Sequence, residues 1–348
     1  MKNDALLSGV LTEEETALLD TLPEITEPET KERPRWVVRR AADALAPQPE
    51  VDYILKGLIT AGSVNIFYGE PGSKKTYALL SLAVCVASGL PWLDFGTDPR
   101  RVLIIDEESG ERRMLRRLGE VLRGEGLGPE TPVSFVSLAG FSLDDPNDAE
   151  ILRALIESEG AGLVIIDALA DTMTGDENSK QETQPVFNNL RRIAEATNCA
   201  VILIHHSNKA GGYRGSTAIK GSVDLMVRVE SESGKNSITF TSEKSRDELP
   251  QTWGAVAAWI GDRFVLRPTE PEENVHFSKA ENYVMRFLEE NGPSAKSVIK
   301  AGADICSERA AESAIYSLTG KRLIYRTNPN ERGIGVEATY ALKGGNHA

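Results

Sequence analysis

The stretch Tyr68-Gly69-Glu70-Pro71-Gly72-Ser73-Lys74-Lys75-Thr76-Tyr77-Ala78-Leu79-Leu80 decides how this chain is read. It follows the aliphatic run VNIFY at 64–68 and opens an apolar segment, so its order is strand, tight loop, helix. A loop in that setting aims backbone N–H groups at phosphate oxygens, and the positive end of the following helix adds to the attraction. Lys75 stands where it would reach the β- and γ-phosphates, and Thr76 supplies a hydroxyl for Mg²⁺. Gly69, Glu70, Pro71, Gly72, Ser73, Lys74, Lys75, Thr76 and Tyr77 are therefore the candidate nucleotide-binding set, with ATP and Mg²⁺ as the expected ligands. The departure from GxxxxGK[ST] is Lys74, where the pattern has glycine. A positive φ there would cost lysine about 1–2 kcal/mol, and the side chain adds a second cation beside the phosphates.

Three later strand ends supply partners. LVIID at 163–167 ends on Asp167, and open parallel sheets bind ligands at the carboxyl ends of their strands, so Asp167 is expected to hold Mg²⁺ through water. VLIID at 102–106 runs into Glu107 and Glu108, giving three carboxylates with Asp106. Hydrolysis needs a base to orient the attacking water, and Glu108 is the first candidate and Glu107 the second, with a solvated acidic loop as the alternative. AVILIH at 200–205 brings His205 and His206 to a strand end. Side chains alternate along a strand, so one of the two faces the nucleotide, and His206 is assigned that place.

These runs are apolar on both faces and alternate with helical stretches, which predicts an α/β domain over 35–270 with a mostly parallel sheet covered by helices. SVDLMVRVE, SITFTSEK, AVAAWI and RFVLRP, with turn signals SGKN and GD, predict an added antiparallel edge. Residues 1–34 are expected to be an acidic flexible arm, since residues 1–32 carry two bases against nine acids. Beyond TEPEENVH, three helical stretches (ENYVMRFLEENG, SAKSVIKAGA, CSERAAESAIYSLTGKR) precede RLIYRT and ATYALK, which flank NPNERGIGVE. Three helices and a hairpin resemble a small C-terminal winged helix-turn-helix domain over 275–348, with 305–319 as the second helix of the motif. That segment holds ten bases and eight acids, leaving −15 for residues 1–274. Glu308, Arg309 and Glu312 give its helix a mixed face while Lys321, Arg322, Arg326 and Arg332 make the wing basic, so DNA contact and protein docking both stay open.

Composition bounds the function classes. The chain has 348 residues, 41% hydrophobic and 26% charged, which excludes a wholly disordered chain. Its 39 bases and 52 acids give −13, which excludes a surface basic all over, so any nucleic-acid contact is a local patch. Cys85, Cys199 and Cys306 lie far apart without disulfide or metal-type spacing. No run approaches the roughly 18 apolar residues of a membrane helix. A cytoplasmic protein with no membrane partner is expected.

The order GEPGSKKT, VLIIDEES, LVIIDAL followed by TGDEN, then IHHSNK and RGSTA resembles the RecA-fold ATPases of the plasmid RepA-like helicase family, which are related to DnaB-like helicases, over roughly residues 50–250. The resemblance implies a RecA-like P-loop NTPase core with nucleotide between subunits of a homo-hexamer, and it carries the family's site positions onto Lys75, Thr76, Asp167 and Glu108. TSEKSRDELP resembles the K-x-R element whose cations reach a neighbouring subunit's γ-phosphate, here Lys244 and Arg246. Arg228 competes for that role, and a plain surface charge pair is the alternative. The family's pore loops correspond to TGDENSKQET, acidic apart from Lys180, and to a second loop where Lys209, Tyr213 and Arg214 suit backbone tracking on single-stranded DNA. The leading expectation is an ATP-dependent DNA helicase or translocase of a replication system, with replication or loading proteins docking through the winged-helix domain. The alternatives are a recombination-mediator or KaiC-like regulatory ATPase that does not unwind, and a nucleotide-gated DNA-binding regulator.

Overall fold

The structure is a computed structural model, and it describes residues 39–207, 217–232, 234–246, 248–271, 277–329 and 337–343. The acidic arm at 1–34, the loop residues Lys209, Tyr213 and Arg214, and Arg332 lie outside the described residues. The chain forms two compact units, residues 1–50 and 51–348. The first contributes one described helix, α1 (Ala41–Leu45), with no buried residue.

In the second unit a hairpin of β1 (Tyr53–Leu55) and β2 (Ile59–Thr60) precedes the main sheet. That sheet has nine strands: β3 (Val64–Gly69), β4 (Arg101–Asp106), β5 (Val133–Ser137), β6 (Ala161–Asp167), β7 (Ala200–His206), β8 (Leu225–Glu230), β9 (Ser237–Ser245), β10 (Thr252–Ile260) and β11 (Arg263–Thr269). Their order across the sheet is β11-β10-β9-β8-β3-β7-β6-β4-β5. The six strands from β8 to β5 run parallel, and β9, β10 and β11 add antiparallel pairs. The antiparallel edge thus begins one strand later than the sequence reading puts it. SVDLMVRVE contains β8, which pairs parallel with β3 because the chain returns from the end of β7 to the start of the sheet before entering it. VSFVS, at the far edge and half-buried throughout, lacks the long apolar run that marks the inner strands.

Helices α2 (Lys75–Ser88), α3 (Glu111–Glu125), α4 (Pro146–Glu159) and α5 (Lys180–Thr197) cover the sheet, and α6 (Thr217–Ser222) leads into β8. Alternate residues of each inner strand enter opposite cores. Phe67, Ile104, Ile165 and Ile202 pack with α2 and α3, whereas Ile66, Leu103, Val164 and Leu203 pack with α4 and α5. Burial on both faces fixes the strands firmly, so their carboxyl ends form a rigid platform for the site.

The C-terminal segment forms α7 (Lys279–Asn291), β12 (Ser294–Ala295), α8 (Lys296–Ala301), α9 (Glu308–Gly320), β13 (Ile324–Arg326) and β14 (Thr339–Leu342). Its antiparallel sheet has the order β12-β14-β13, one strand more than the expected hairpin, because two residues carry no readable periodicity. Ser278 starts α7 and Ser307 starts α9, each accepting the N–H three residues on, at 3.1 and 3.2 Å. The core of Tyr283, Val284, Leu288, Ile299, Ile315 and Leu318 also takes in Ala258, Ile260 and Val265, which joins this segment to β10 and β11. Among the described residues no helix is long and apolar enough to cross a membrane.

Candidate functional site

The phosphate loop begins where β3 meets β8. A Cβ on Gly69 would lie 2.1 Å from the Val229 carbonyl oxygen, so only glycine lets the two strands approach there. The loop turns tightly, with the Ser73 N–H donating to the Glu70 carbonyl at 3.1 Å and Gly72 at φ +83°. Lys74 holds the left-handed conformation, φ 66° and ψ 20°, immediately before α2. Its Nζ donates to Ser231 Oγ at 2.5 Å, just beyond β8.

Lys75 is 5% exposed. Its ammonium donates to the carbonyls of Gly69 and Glu70, both at 2.8 Å, and to Ser73 Oγ at 3.3 Å. Burial pulls its pKa down to about 8, against the opposing pull of Asp167, Glu108 and Glu70. Thr76 Oγ1 donates to Asp167 Oδ2 at 2.8 Å. Burial pushes the Asp167 carboxyl up to about 7, the Thr76 hydroxyl and Lys75 holding it back while Glu108 and Asp106 push further. Its second oxygen, Oδ1, is buried and has no hydrogen-bond partner among the described residues. Tyr77 points elsewhere: its hydroxyl donates to Glu120 at 2.5 Å and its ring packs on Phe264 and Trp259, so its side chain belongs to the contact between α2, α3 and the edge strands.

The three acidic residues at the end of β4 do different things. Asp106 is fully buried and accepts from the N–H groups of Ser109 and Gly110, both at 2.9 Å, and from Ser137 Oγ at 2.7 Å, which fixes the turn into α3. Glu107 accepts from the N–H groups of Ala139 and Gly140 at 3.0 and 3.1 Å, holding the loop after β5. Glu108 faces the phosphate loop: its charge acts on both Lys75 and Asp167, and its Oε2 lies 3.9 Å from His206 Nε2. His206 is the β7 partner of Gly69, while His205 is fully buried with Nδ1 3.8 Å from Glu177 Oε2. Lys75, Thr76, Asp167, Glu108 and His206 therefore meet at one end of the sheet.

Lys244 and Arg246 lie at the other end. Lys244 pairs with Met226 near the start of β8, and Asp224 beside it accepts from the N–H of Val64, the first residue of β3. Lys244 Nζ donates to the carbonyls of Lys220 and Val223 at 2.5 and 2.6 Å. Arg246 donates to the Gly221 carbonyl at 3.2 Å and pairs with Asp224 at 3.2 Å. Both cations thus hold the C-terminal carbonyls of α6, where positive charge is favoured. Arg228 pairs with Glu230 at 2.9 Å on the wall of a cleft of about 910 Å³ between the phosphate loop and the chain from Arg228 to Glu232. Sequence reasoning missed Ser231, since a serine between two glutamates carries no pattern.

A family model for the AAA domain matches residues 26–212, more than half of the chain. The chain belongs to the AAA domain family. Relatives of this AAA domain include the DNA repair protein RadA of Mycobacterium tuberculosis, 29% identical over 192 residues that are 53% of this chain and 35% of that protein. RadA of Synechocystis is 25% identical over 64% of this chain and 44% of its own length, and RadA of Helicobacter pylori 25% identical over 65% and 48%. The chain thus spans less than half the length of these relatives. A solved structure of the RadB recombinase aligns over 60% of this chain and 92% of its own at 18% identity, with a TM-score of 0.46. Family and relatives together support a RecA-like P-loop ATPase for this AAA domain.

Proposed function

We propose that the chain is a DNA-responsive RecA-type ATPase of the recombination kind, with an ATPase domain over 35–270 and a winged-helix module over 275–348. The observation that carries this reading is the bond from Thr76 to Asp167 beside a buried Lys75, which brings hydroxyl, carboxylate and ammonium to one point at the tip of a parallel sheet. The RadA relatives, DNA repair proteins by name, fit the recombination-mediator alternative better than the replicative helicase expected from the motif order.

The residues fit Mg²⁺, because Thr76 and Asp167 offer hard oxygen donors and Asp167 Oδ1 is buried without a hydrogen-bond partner among the described residues. When bound, the ion would neutralise charge on the β- and γ-phosphate oxygens. The chain's own groups do the rest. Backbone N–H groups of Gly72 to Thr76 would bind the phosphates, and Lys75 would exchange its loop carbonyls for a phosphate oxygen. Glu108 would orient the attacking water and take its proton, with His206 fixing the carboxylate. Glu107, tied to two backbone N–H groups, serves the fold in this reading.

Lys244 and Arg246 are at the end of the sheet opposite their own phosphate loop, so any contact they make with nucleotide is with that of another copy. Such contacts would make the active form an oligomer, with DNA held by Lys209, Tyr213 and Arg214. The C-terminal order of helix, short strand, two helices and two strands supports a winged helix. The test is ATP turnover with single-stranded DNA together with an unwinding assay on a forked duplex. Turnover that DNA stimulates, without unwinding by the protein alone, is expected; autonomous unwinding would return the protein to the helicase class.

A further inference from the structure

Lys74 is the residue at which the phosphate loop departs from its pattern, and the structure gives that departure a use. A lysine in the left-handed region persists only where its surroundings hold it there, whereas glycine would fit the same backbone freely. In that conformation its Nζ donates to Ser231 Oγ at 2.5 Å. Ser231 Oγ donates onward to the carbonyl of Ser237 at 2.7 Å, the first residue of β9. The chain of bonds therefore runs from the loop across the base of the connection between β8 and β9. The same segment meets the loop at its other end, where Gly69 lies against the Val229 carbonyl.

We propose that Lys74 is a positioning residue that straps the C-terminal end of the phosphate loop to the β8–β9 connection through Ser231, and that this strap, rather than a second phosphate contact, is what the lysine contributes to nucleotide binding. Resting on the nucleotide-site reading above, it gives the loop two anchors, Gly69 on Val229 and Lys74 on Ser231. A loop fixed at both ends presents its N–H groups already ordered, so a phosphate pays less to order them. The strap acts on the loop as a whole, so it favours ATP and ADP alike. A lysine reaching the γ-phosphate would favour ATP alone.

The test is a double-mutant cycle of Lys74→Met, Ser231→Ala and both, with Ser231→Thr as the rescue. Two quantities are read: thermal unfolding without nucleotide, and dissociation constants for fluorescent ATP and ADP analogues. Each single change is expected to weaken both nucleotides by a similar factor of up to about tenfold, equivalent to about 1.4 kcal/mol. The double variant should be no worse than either single one, and Ser231→Thr should bind as the parent does. Loss of ATP but not ADP affinity in Lys74→Met, with Ser231→Ala unaffected, would overturn the proposal, and so would additive losses. Should the parent bind neither nucleotide, the nucleotide-site reading fails separately. The strap then stands if the two substitutions are coupled in unfolding, and falls if they are additive.

Discussion

Thr76 Oγ1 donates to Asp167 Oδ2 over 2.8 Å, joining the first turn of α2 to the tip of β6. The bond places the only hydroxyl of the loop's KKT run against a carboxylate whose burial raises its pKa to about 7. A carboxylate kept there at the expense of stability is suited to a cation rather than to the fold. Asp167→Asn should therefore lower Mg²⁺-dependent turnover by about 100-fold while leaving the nucleotide-free melting temperature unchanged or raised. Thr76→Val should lower turnover similarly, and chelation of Mg²⁺ should abolish it in the parent. A melting temperature that falls with Asp167→Asn would mark the residue as structural.

Glu107 and Glu108 are neighbours in sequence with separate tasks in space. Glu108→Gln should bind ATP but lose turnover by at least about 100-fold, because the amide cannot take a proton from water. Glu107→Ala should act on stability rather than turnover, lowering it by no more than about 1 kcal/mol, because the exposed N–H groups of Ala139 and Gly140 exchange their carboxylate acceptor for water. Single-turnover kinetics beside thermal melts separates the two, and the reverse pattern would exchange their roles.

Glu281 is buried at the start of α7, and burial alone would raise its pKa. Lys321, the Ser278 N–H and the Ser317 hydroxyl outweigh burial and hold the carboxyl below its ordinary range. The folded state thus binds its proton less readily than the unfolded chain, whose glutamate titrates near about 4.3. The stabilisation is complete above that value and is lost as pH falls through the lower folded one. Acid titration followed by near-UV dichroism should show the C-terminal segment loosening below about pH 4, and Glu281→Gln should flatten that dependence and destabilise the segment at neutral pH.

Much of the site was legible because strand ends are written in the sequence. VNIFY, VLIID, LVIID and AVILIH each form an inner strand within two residues of the expected bounds, since burial on both faces demands unbroken apolar runs. The separation of Glu107 from Glu108 was not legible. It depends on where the loop at 138–140 comes to rest, and the N–H groups it brings to Glu107 lie 32 and 33 residues further along the chain. The parallel pairing of β8 was hidden for a related reason, since strand direction depends on the crossover and not on the strand's own residues. Lys244 and Arg246 were legible as cations, but their grip on the carbonyls of α6 follows from a register that no local pattern contains.

The packing of α3 on the edge of the sheet is equally specific. A Cβ on Gly124 would lie 1.7 Å from the Phe264 carbonyl oxygen, so helix and strand touch through backbone there. Gly124→Ala should force them apart and destabilise the domain by at least about 2 kcal/mol in a urea melt, despite alanine's better helix propensity. A stabilised variant would show that α3 does not sit against β11 as described.

In the proposed function the loop around Lys75 binds and hydrolyses ATP, and DNA communicates with it. Turnover measured with and without single-stranded DNA, in the parent and in Lys75→Ala, tests this most directly. Hydrolysis in the parent that DNA accelerates and that disappears in the variant is expected. Turnover equal in both proteins, or in the parent indifferent to DNA at every concentration, would contradict it.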